Sequence, residues 1–199
     1  MDPNPLLDDS SEAWDRLVGA LGPPTMLLAI AARMGHRLSA ALTPEDIWQE
    51  TLLHVWRDRH HVDWQGYPAF RRWVLQVAEN RIRNAGDRLA AKKRGGEAGA
   101  QAAAAELPPP VSSTTPSRVA SHAEEARAMQ LVLEELPVDV RDVVRLRLVE
   151  EIPVLEVAAR LGLGESAVKH RLRKGARMFW LGLRERLALT RGSADGGAL

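Results

Sequence analysis

Apolar residues recur at three- and four-residue spacing over most of this chain. No stretch alternates with the period of two that a half-buried strand requires. Trp14, Leu17, Val18 and Leu21 share one face of a helix predicted over 11–21, ended by Gly22-Pro23-Pro24. A second helix is predicted over 25–38. Thr43-Pro44-Glu45-Asp46 is a start signal: a hydroxyl cap, Pro at the first helical position, then two acids on the positive end of the dipole. It opens a helix predicted over 44–57. Phe70, Trp73, Val74, Val77, Ala78, Ile82, Ala85 and Leu89 then form the apolar stripe of a long helix over 69–93. Further on, helices are predicted over 123–136, 138–149, 154–161 and 165–187, with Pro137 between the first two and Gly162 before the last.

Between these blocks lies GGEAGAQAAAAELPPPVSSTTPSRVASH, residues 95–122, with no aromatic side chain. Such a stretch cannot bury enough apolar surface to offset the entropy of ordering it, and it is expected to be a linker. The fold class that follows is all-α: two small helical domains, 1–94 and 123–189, joined by a flexible linker, the second carrying a helix-turn-helix. The Gly-rich end, 190–199, is expected to be disordered.

The last helix carries most of the chemistry. At 100° per residue, Val168, Leu172, Ala176, Phe179 and Leu183 fall on one face. Ser166, His170, Arg173 and Arg177 fall opposite, flanked by Lys169, Arg171 and Lys174. The apolar face can dock on Leu155, Val157, Ala158 and Leu161. Gly162-Leu163-Gly164 supplies a sharp corner, with Leu163 plugging the core. The exposed basic face then fits a DNA major groove. A charged helix face is often only solvated; it is the short helix, glycine turn, docking face and basic face together that point to DNA.

The N-terminal block has a different electrostatic character. The helix beginning at Pro44 carries Glu45, Asp46 and Glu50 and no cation before Arg57, which suits a basic protein partner rather than DNA. Glu45 and Asp46 equally complement the helix dipole. On the next helix Gln76, Asn80, Asn84 and Arg88 form an i, i+4 row able to hydrogen-bond to bases, or an ordinary polar flank. Arg72, Arg81, Arg83, Lys92, Lys93 and Arg94 add charge for phosphates. Trp64 and Tyr67, in the loop RHHVDWQGYP, can stack on unpaired bases or anchor the loop on the core. His54, His60 and His61 beside Asp58 and Asp63 lack the fixed ligand spacing of a metal site, and no metal is expected.

Composition narrows the class. Hydrophobic residues make up 45% and charged residues 27%, as in a globular protein. With no cysteine there is neither a disulfide framework nor a thiolate metal site. MDPNPLLDDSSEAW lacks the basic region of a signal peptide, and the most apolar run, 26–34, is far shorter than the roughly 20 residues of a membrane span. A cytoplasmic protein without membrane insertion is expected. No nucleophile motif, phosphate loop or paired carboxylates stand out, so neither an enzyme nor a cofactor is expected. The formal net charge of +1 hides the uneven distribution of acids and bases.

Two blocks carry a family resemblance. DIWQETLLHVW (46–56) with FRRWVLQVAENRIRNAGDRL (70–89) resembles the second conserved region of bacterial sigma factors. ELPVDVRDVVRLRLVEEIPVLEVAARLGLGESAVKHRLRKGARM (135–178) resembles their fourth region. Order, spacing and size are similar to the extracytoplasmic-function group, which keeps only these two domains. The resemblance implies that Asp46, Gln49 and Glu50 bind core RNA polymerase. It implies −10 promoter contacts from Trp64, Gln65 and Tyr67, and from Asn80, Asn84 and Arg88, to which Arg72, Gln76 and Arg83 of the same helix are joined. It implies −35 contacts from Ser166, Lys169, His170, Arg171, Arg173 and Arg177, with Lys174 beside them. Arg141, Arg145 and Arg147 would touch phosphate or polymerase. An anti-sigma factor is a further partner that the resemblance allows. The chain departs from the family pattern at Pro153 and Gly164, where capping hydroxyls are common, at Glu79, where a base is common, and in the loop RHHVDWQGYP. The 28 residues of 95–122 can span roughly 90 Å, against roughly 70 Å for two turns of DNA.

The leading expectation is therefore a sigma factor, which binds core polymerase, selects promoters and helps open the −10 region. A stand-alone helix-turn-helix regulator is the alternative. A metal- or nucleotide-using enzyme is a third, resting on the histidines alone.

Overall fold

The computed structural model describes residues 4–93 and 115–195. Among these the regular structure is entirely helical, and no helix is long and apolar enough to cross a membrane. The chain divides into two compact units, Met1–His122 and Ala123–Leu199.

The first unit holds α1 (Ser11–Leu21), α2 (Pro23–Arg33), α3 (His36–Ser39), α4 (Pro44–Asp58) and α5 (Tyr67–Lys93), preceded by a 3-10 turn at Pro5–Leu7. Gly22 ends α1 and starts α2; its φ of 68° lies in the left-handed region that a side chain disfavours. The helix predicted over 25–38 is instead two. Met34 is extended, with its side chain buried, and Gly35 restarts the chain as the N-cap of α3. The start signal at Thr43 is realised as a capping box: Asp46 N–H donates to Thr43 Oγ1 at 3.2 Å, and Thr43 N–H to Asp46 Oδ2 at 2.8 Å. α4 and α5 pack through Ile47, Leu52 and Val55 against Phe70, Val74, Val77 and Ala78, all buried. Trp73, Ile82 and Leu89 of the expected stripe are half-buried, and Leu75 is buried in addition.

The residues ahead of α2 belong to the same core. Leu6, Trp14, Leu17 and Leu21 are buried. Trp14 meets Trp56 edge to face at 5.0 Å, and the buried Arg59 guanidinium lies 3.5 Å over the Trp56 ring. Arg59 also donates to Asp9 and to the Trp56 carbonyl, so the end of α4 is clasped by the segment before α1.

The second unit is built from α6 (Pro116–Glu135) from Ala123 onward, α7 (Val138–Val144), a π-turn at Arg145–Val149, α8 (Val154–Leu161) and α9 (Glu165–Asp195). α6 starts at Pro116 and not at 123. Proline at the first helical position has no N–H to leave unpaired, and Val119 N–H reaches the Thr115 carbonyl at 3.0 Å. The end of the expected linker is thus helical; its residues 95–114 lie outside those described. α9 likewise runs past the expected 187 to Asp195. Gly162, at φ 62°, makes the corner between α8 and α9. Glu151 is the one described non-glycine residue with positive φ, at 57°.

Candidate nucleic-acid interface

α8 and α9 dock as a helix-turn-helix through Val157, Ala158 and Val168, with Leu161, Leu163 and Leu172 packed against them. Leu163 does plug this core. Leu155 does not: it sits about 100° round the helix from Val154 and is 69% exposed. On α9, Val168, Phe179 and Leu183 are buried and Ala176 is half-buried. A residue missing from the expected docking face is Gly175, which is buried where a Cβ would come within 2.5 Å of Val144 Cγ2. The absence of a side chain lets α7 and α9 approach this closely.

The opposite face of α9 is free. Ser166, Lys169, His170, Arg173, Lys174 and Arg177 are all exposed, and Arg171 is half-buried at its edge. Glu165 pairs with Lys169 at 3.3 Å, and Arg173 Nε lies 3.4 Å from the Lys169 carbonyl. A continuous cationic stripe remains, as phosphate and base contact requires.

The three arginines ahead of it are committed locally. Arg141 donates twice to the Leu136 carbonyl, at 3.1 and 2.8 Å, and Arg147 donates to the Ile152 carbonyl at 2.8 Å. Arg145 lies between Asp142 and Glu150, at 3.5 and 3.4 Å. These side chains tie the π-turn together.

On α5 the row Gln76, Asn80, Asn84, Arg88 is not one face. Each four-residue step advances about 40°, so the row turns about 120° from end to end. Gln76, Asn80 and Asn84 are exposed, with Arg72 and Arg83 on the side away from the core. Arg88 instead arrives beside α4, where it meets Glu50 at 3.3 Å. Two residues expected to serve different partners are thereby joined. Glu79, the acid in a place where a base was expected, accepts from Arg33 at 2.9 Å and pins α2 to α5. Arg83 reaches Asn80 Oδ1 at 3.4 Å, and Gln76 reaches Glu79 at 3.5 Å.

In the loop, Trp64 is half-buried between Tyr67 and Phe70, with ring centroids at 5.1 and 5.7 Å. These contacts anchor the loop on the start of α5. Tyr67 opens α5 and is 45% exposed, and Gln65 is exposed with its amide 3.3 Å from Asp63. A cavity of about 340 Å³ beside them is lined by His61, Asp63, Gln65, Phe70 and Trp73 among others.

The outer face of α4 presents Asp46, Gln49 and Glu50. Asp46 is partly spent on the cap and Glu50 on Arg88, while Gln49 is exposed. Leu53, one turn beyond Gln49, is 42% exposed in the middle of this face. The sequence signal for it was available: at i+4 from Gln49 and i+7 from Asp46 it shares their side of the helix.

His54 and His60 each face one acid. His54 lies 3.3 Å from Asp58 and His60 3.3 Å from Asp9. Burial holds the His54 pKa below its ordinary value of 6.5 against the opposing pull of Asp58, with Arg81 and Arg57 adding to the lowering. The hydrogen bond from Arg59 lowers the Asp9 carboxyl. Among the described residues no three His, Asp or Glu side chains gather to hold a metal ion.

Comparison with known proteins fits this arrangement. Residues 25–94 match the family model for Sigma-70 region 2, and residues 126–178 the model for Sigma-70, region 4. The chain is 31% identical over 189 residues to the probable RNA polymerase sigma factor RfaY of Xanthomonas campestris pv. campestris. The match covers 94% of this chain and 44% of that relative, so the chain spans less than half the relative's length. Region 2 followed by region 4, each on its own helical unit, makes this chain a member of the sigma-70 family, of the extracytoplasmic-function type.

Proposed function

We propose that the chain binds core RNA polymerase and directs it to a subset of promoters. The observation that carries this is the pairing, on one chain, of a free cationic recognition helix with a second unit whose two exposed faces differ in chemistry. The outer face of α4 offers carboxylates, an amide and Leu53 to a protein surface. The far side of α5 offers arginines and amides to DNA. α9 would read the −35 element in the major groove. Ser166, Lys169, His170, Arg173 and Arg177 are within reach of base edges and phosphates there.

α5 and the loop before it would hold the −10 element. Arg72 and Arg83 supply phosphate contacts, Asn80 and Asn84 amide groups, and the 340 Å³ cavity by Gln65 space for an unpaired base. Trp64 supports that pocket by fixing Tyr67 and Phe70. Strand opening draws its free energy from binding exposed bases and from polymerase contacts, so the chain needs no active site of its own. It works where polymerase and DNA meet, in the cytoplasm. An anti-sigma factor, if the cell makes one, would act by covering α4 or α9.

Transcription in vitro with core polymerase and genomic DNA tests the proposal. New start sites that depend on the added chain are expected, as is co-purification with the polymerase. A chain that binds DNA but neither joins core polymerase nor shifts start sites would sink it and return the stand-alone regulator.

A further inference from the structure

One concave surface of the first unit adjoins the side of α5 described above. α3 and the second half of α5 leave a cavity of about 600 Å³, lined by Leu38, Ile82, Gly86 and Leu89 with His36, Arg37 and Arg83 at its edge. No acid lines it. Leu38 is buried and forms part of the floor, while Arg37, His36 and Arg83 are exposed. Among the described residues Arg37 has no carboxylate partner, and Arg83 touches only Asn80. Gly86 keeps the floor open: a Cβ there would meet nothing within 4 Å.

Its place relative to the DNA-facing side of α5 is the second point. Asn80, Arg83 and Gly86 follow one another at intervals of three residues, and each step turns about 60° round the helix. They form an i±3 ridge, inclined at about 45° to the helix axis. A strand lying along this ridge passes from the amide of Asn80 over the guanidinium of Arg83 and down to the cavity at Gly86. Arg83 is common to both surfaces.

We propose that this cavity holds one unpaired nucleotide of the promoter strand that α5 engages, with the base against Leu38, Ile82 and Leu89 and the phosphate between Arg37 and Arg83. The proposal rests on the reading of α5 as a DNA-binding helix. An apolar floor accepts the face of any base, and a rim of cations without acids accepts a phosphate, so the site binds without selecting sequence. It extends the grip on the open strand past the loop pocket by Gln65.

The test is fluorescence anisotropy of the full chain with a labelled twelve-nucleotide single strand of mixed sequence, over a salt series. Arg37→Ala should lower the slope of log K against log salt by about 0.7, the value of one phosphate contact on a single strand. Gly86→Leu should weaken binding on the order of tenfold with the slope unchanged, because it fills the floor and removes no charge. Gly86→Ala, which adds one methyl to open space, should melt no lower than the parent, which separates loss of binding from loss of the fold at this position. Should Asn80→Ala and Arg72→Ala weaken binding while Arg37→Ala and Gly86→Leu are silent, the cavity is not used and the reading of α5 stands. If no variant changes binding, both are lost. Competition by free AMP that disappears in Gly86→Leu would assign the cavity to a free nucleotide and overturn the promoter strand as its occupant.

Discussion

Three glycines inside long helices make a sharp stability test, because one substitution should act with opposite signs. Replacing Gly by Ala in a helix interior gains about 0.8–1 kcal/mol of helix propensity. At Gly86 nothing opposes the gain, since the new Cβ meets no atom within 4 Å. At Gly182 the Cβ comes within 3.1 Å of Val132 Cγ1, and a small shift consumes most of it. At Gly175 it comes within 2.5 Å of Val144 Cγ2 and 3.1 Å of Val140 Cβ. Valine in a helix has essentially one χ1 rotamer, so these atoms yield only if α7 moves off α9. Overpacking of that kind costs about 1–3 kcal/mol, and the contact here belongs at the upper end. The net expectation is about 1 kcal/mol of stabilisation for Gly86→Ala, near zero for Gly182→Ala, and a loss of about 1–2 kcal/mol for Gly175→Ala. For units of this size that corresponds to a Tm rise of roughly 4–8 °C in the first case and a fall of roughly 5–15 °C in the last. Differential scanning calorimetry of the full chain reads both, since the substitutions fall in different units. A Gly175→Ala chain as stable as Gly86→Ala would refute the claim that α7 and α9 touch through that glycine.

The remaining predictions concern the two faces and pH. His170→Ala and Arg173→Ala should each cost on the order of 1–3 kcal/mol at the preferred −35 sequence, measured by footprinting of the holoenzyme; an even loss across promoters would make them phosphate contacts instead. Gln49→Lys and Leu53→Lys should weaken co-purification with core polymerase while leaving Tm nearly unchanged. Asp46→Ala should also destabilise the chain, by about 0.5–2 kcal/mol, because it breaks the capping box; an unchanged melting curve would count against that. For His54 the sign is fixed by burial. Its pKa is lowered in the folded chain, so the unfolded chain takes the proton first, and stability falls as pH drops below about 6.5. His54→Gln should flatten that limb of a pH–Tm profile, and an unaltered profile would assign the acid sensitivity elsewhere.

The helix-turn-helix was legible because its signals are local and agree. The period of Val168, Leu172 and Leu183, the corner at Gly162 and the basic residues opposite all lie within one short window. The same is true of Thr43-Pro44-Glu45-Asp46, where cap, proline and acids specify one start. What the sequence hid depends on partners far along the chain. Glu79 meets Arg33 across 46 residues, and Glu50 meets Arg88 across 38, so neither pair has a spacing rule to reveal it. The i, i+4 row on α5 misled for a different reason. Its 40° drift per step is small between neighbours and large over four, enough to carry Arg88 from the side of α5 away from the core to the side beside α4. The local partners of Arg141, Arg145 and Arg147 were not legible either. Their hydrogen bonds to the carbonyls and carboxylates of a π-turn cannot be seen before the turn is known.

The clasp at the N-terminal end bears on where the smallest stable fragment begins. The region 2 match starts at residue 25, yet the protein's own core does not. A fragment cut at that boundary would lose Leu6, Trp14, Leu17 and Leu21 from the interior and bare the Trp56 ring, and it would leave Arg59 buried without the Asp9 carboxylate. Family boundaries mark what relatives share, whereas solubility depends on what each chain covers. Here the soluble piece has to start before Leu6, some twenty residues upstream of its signature.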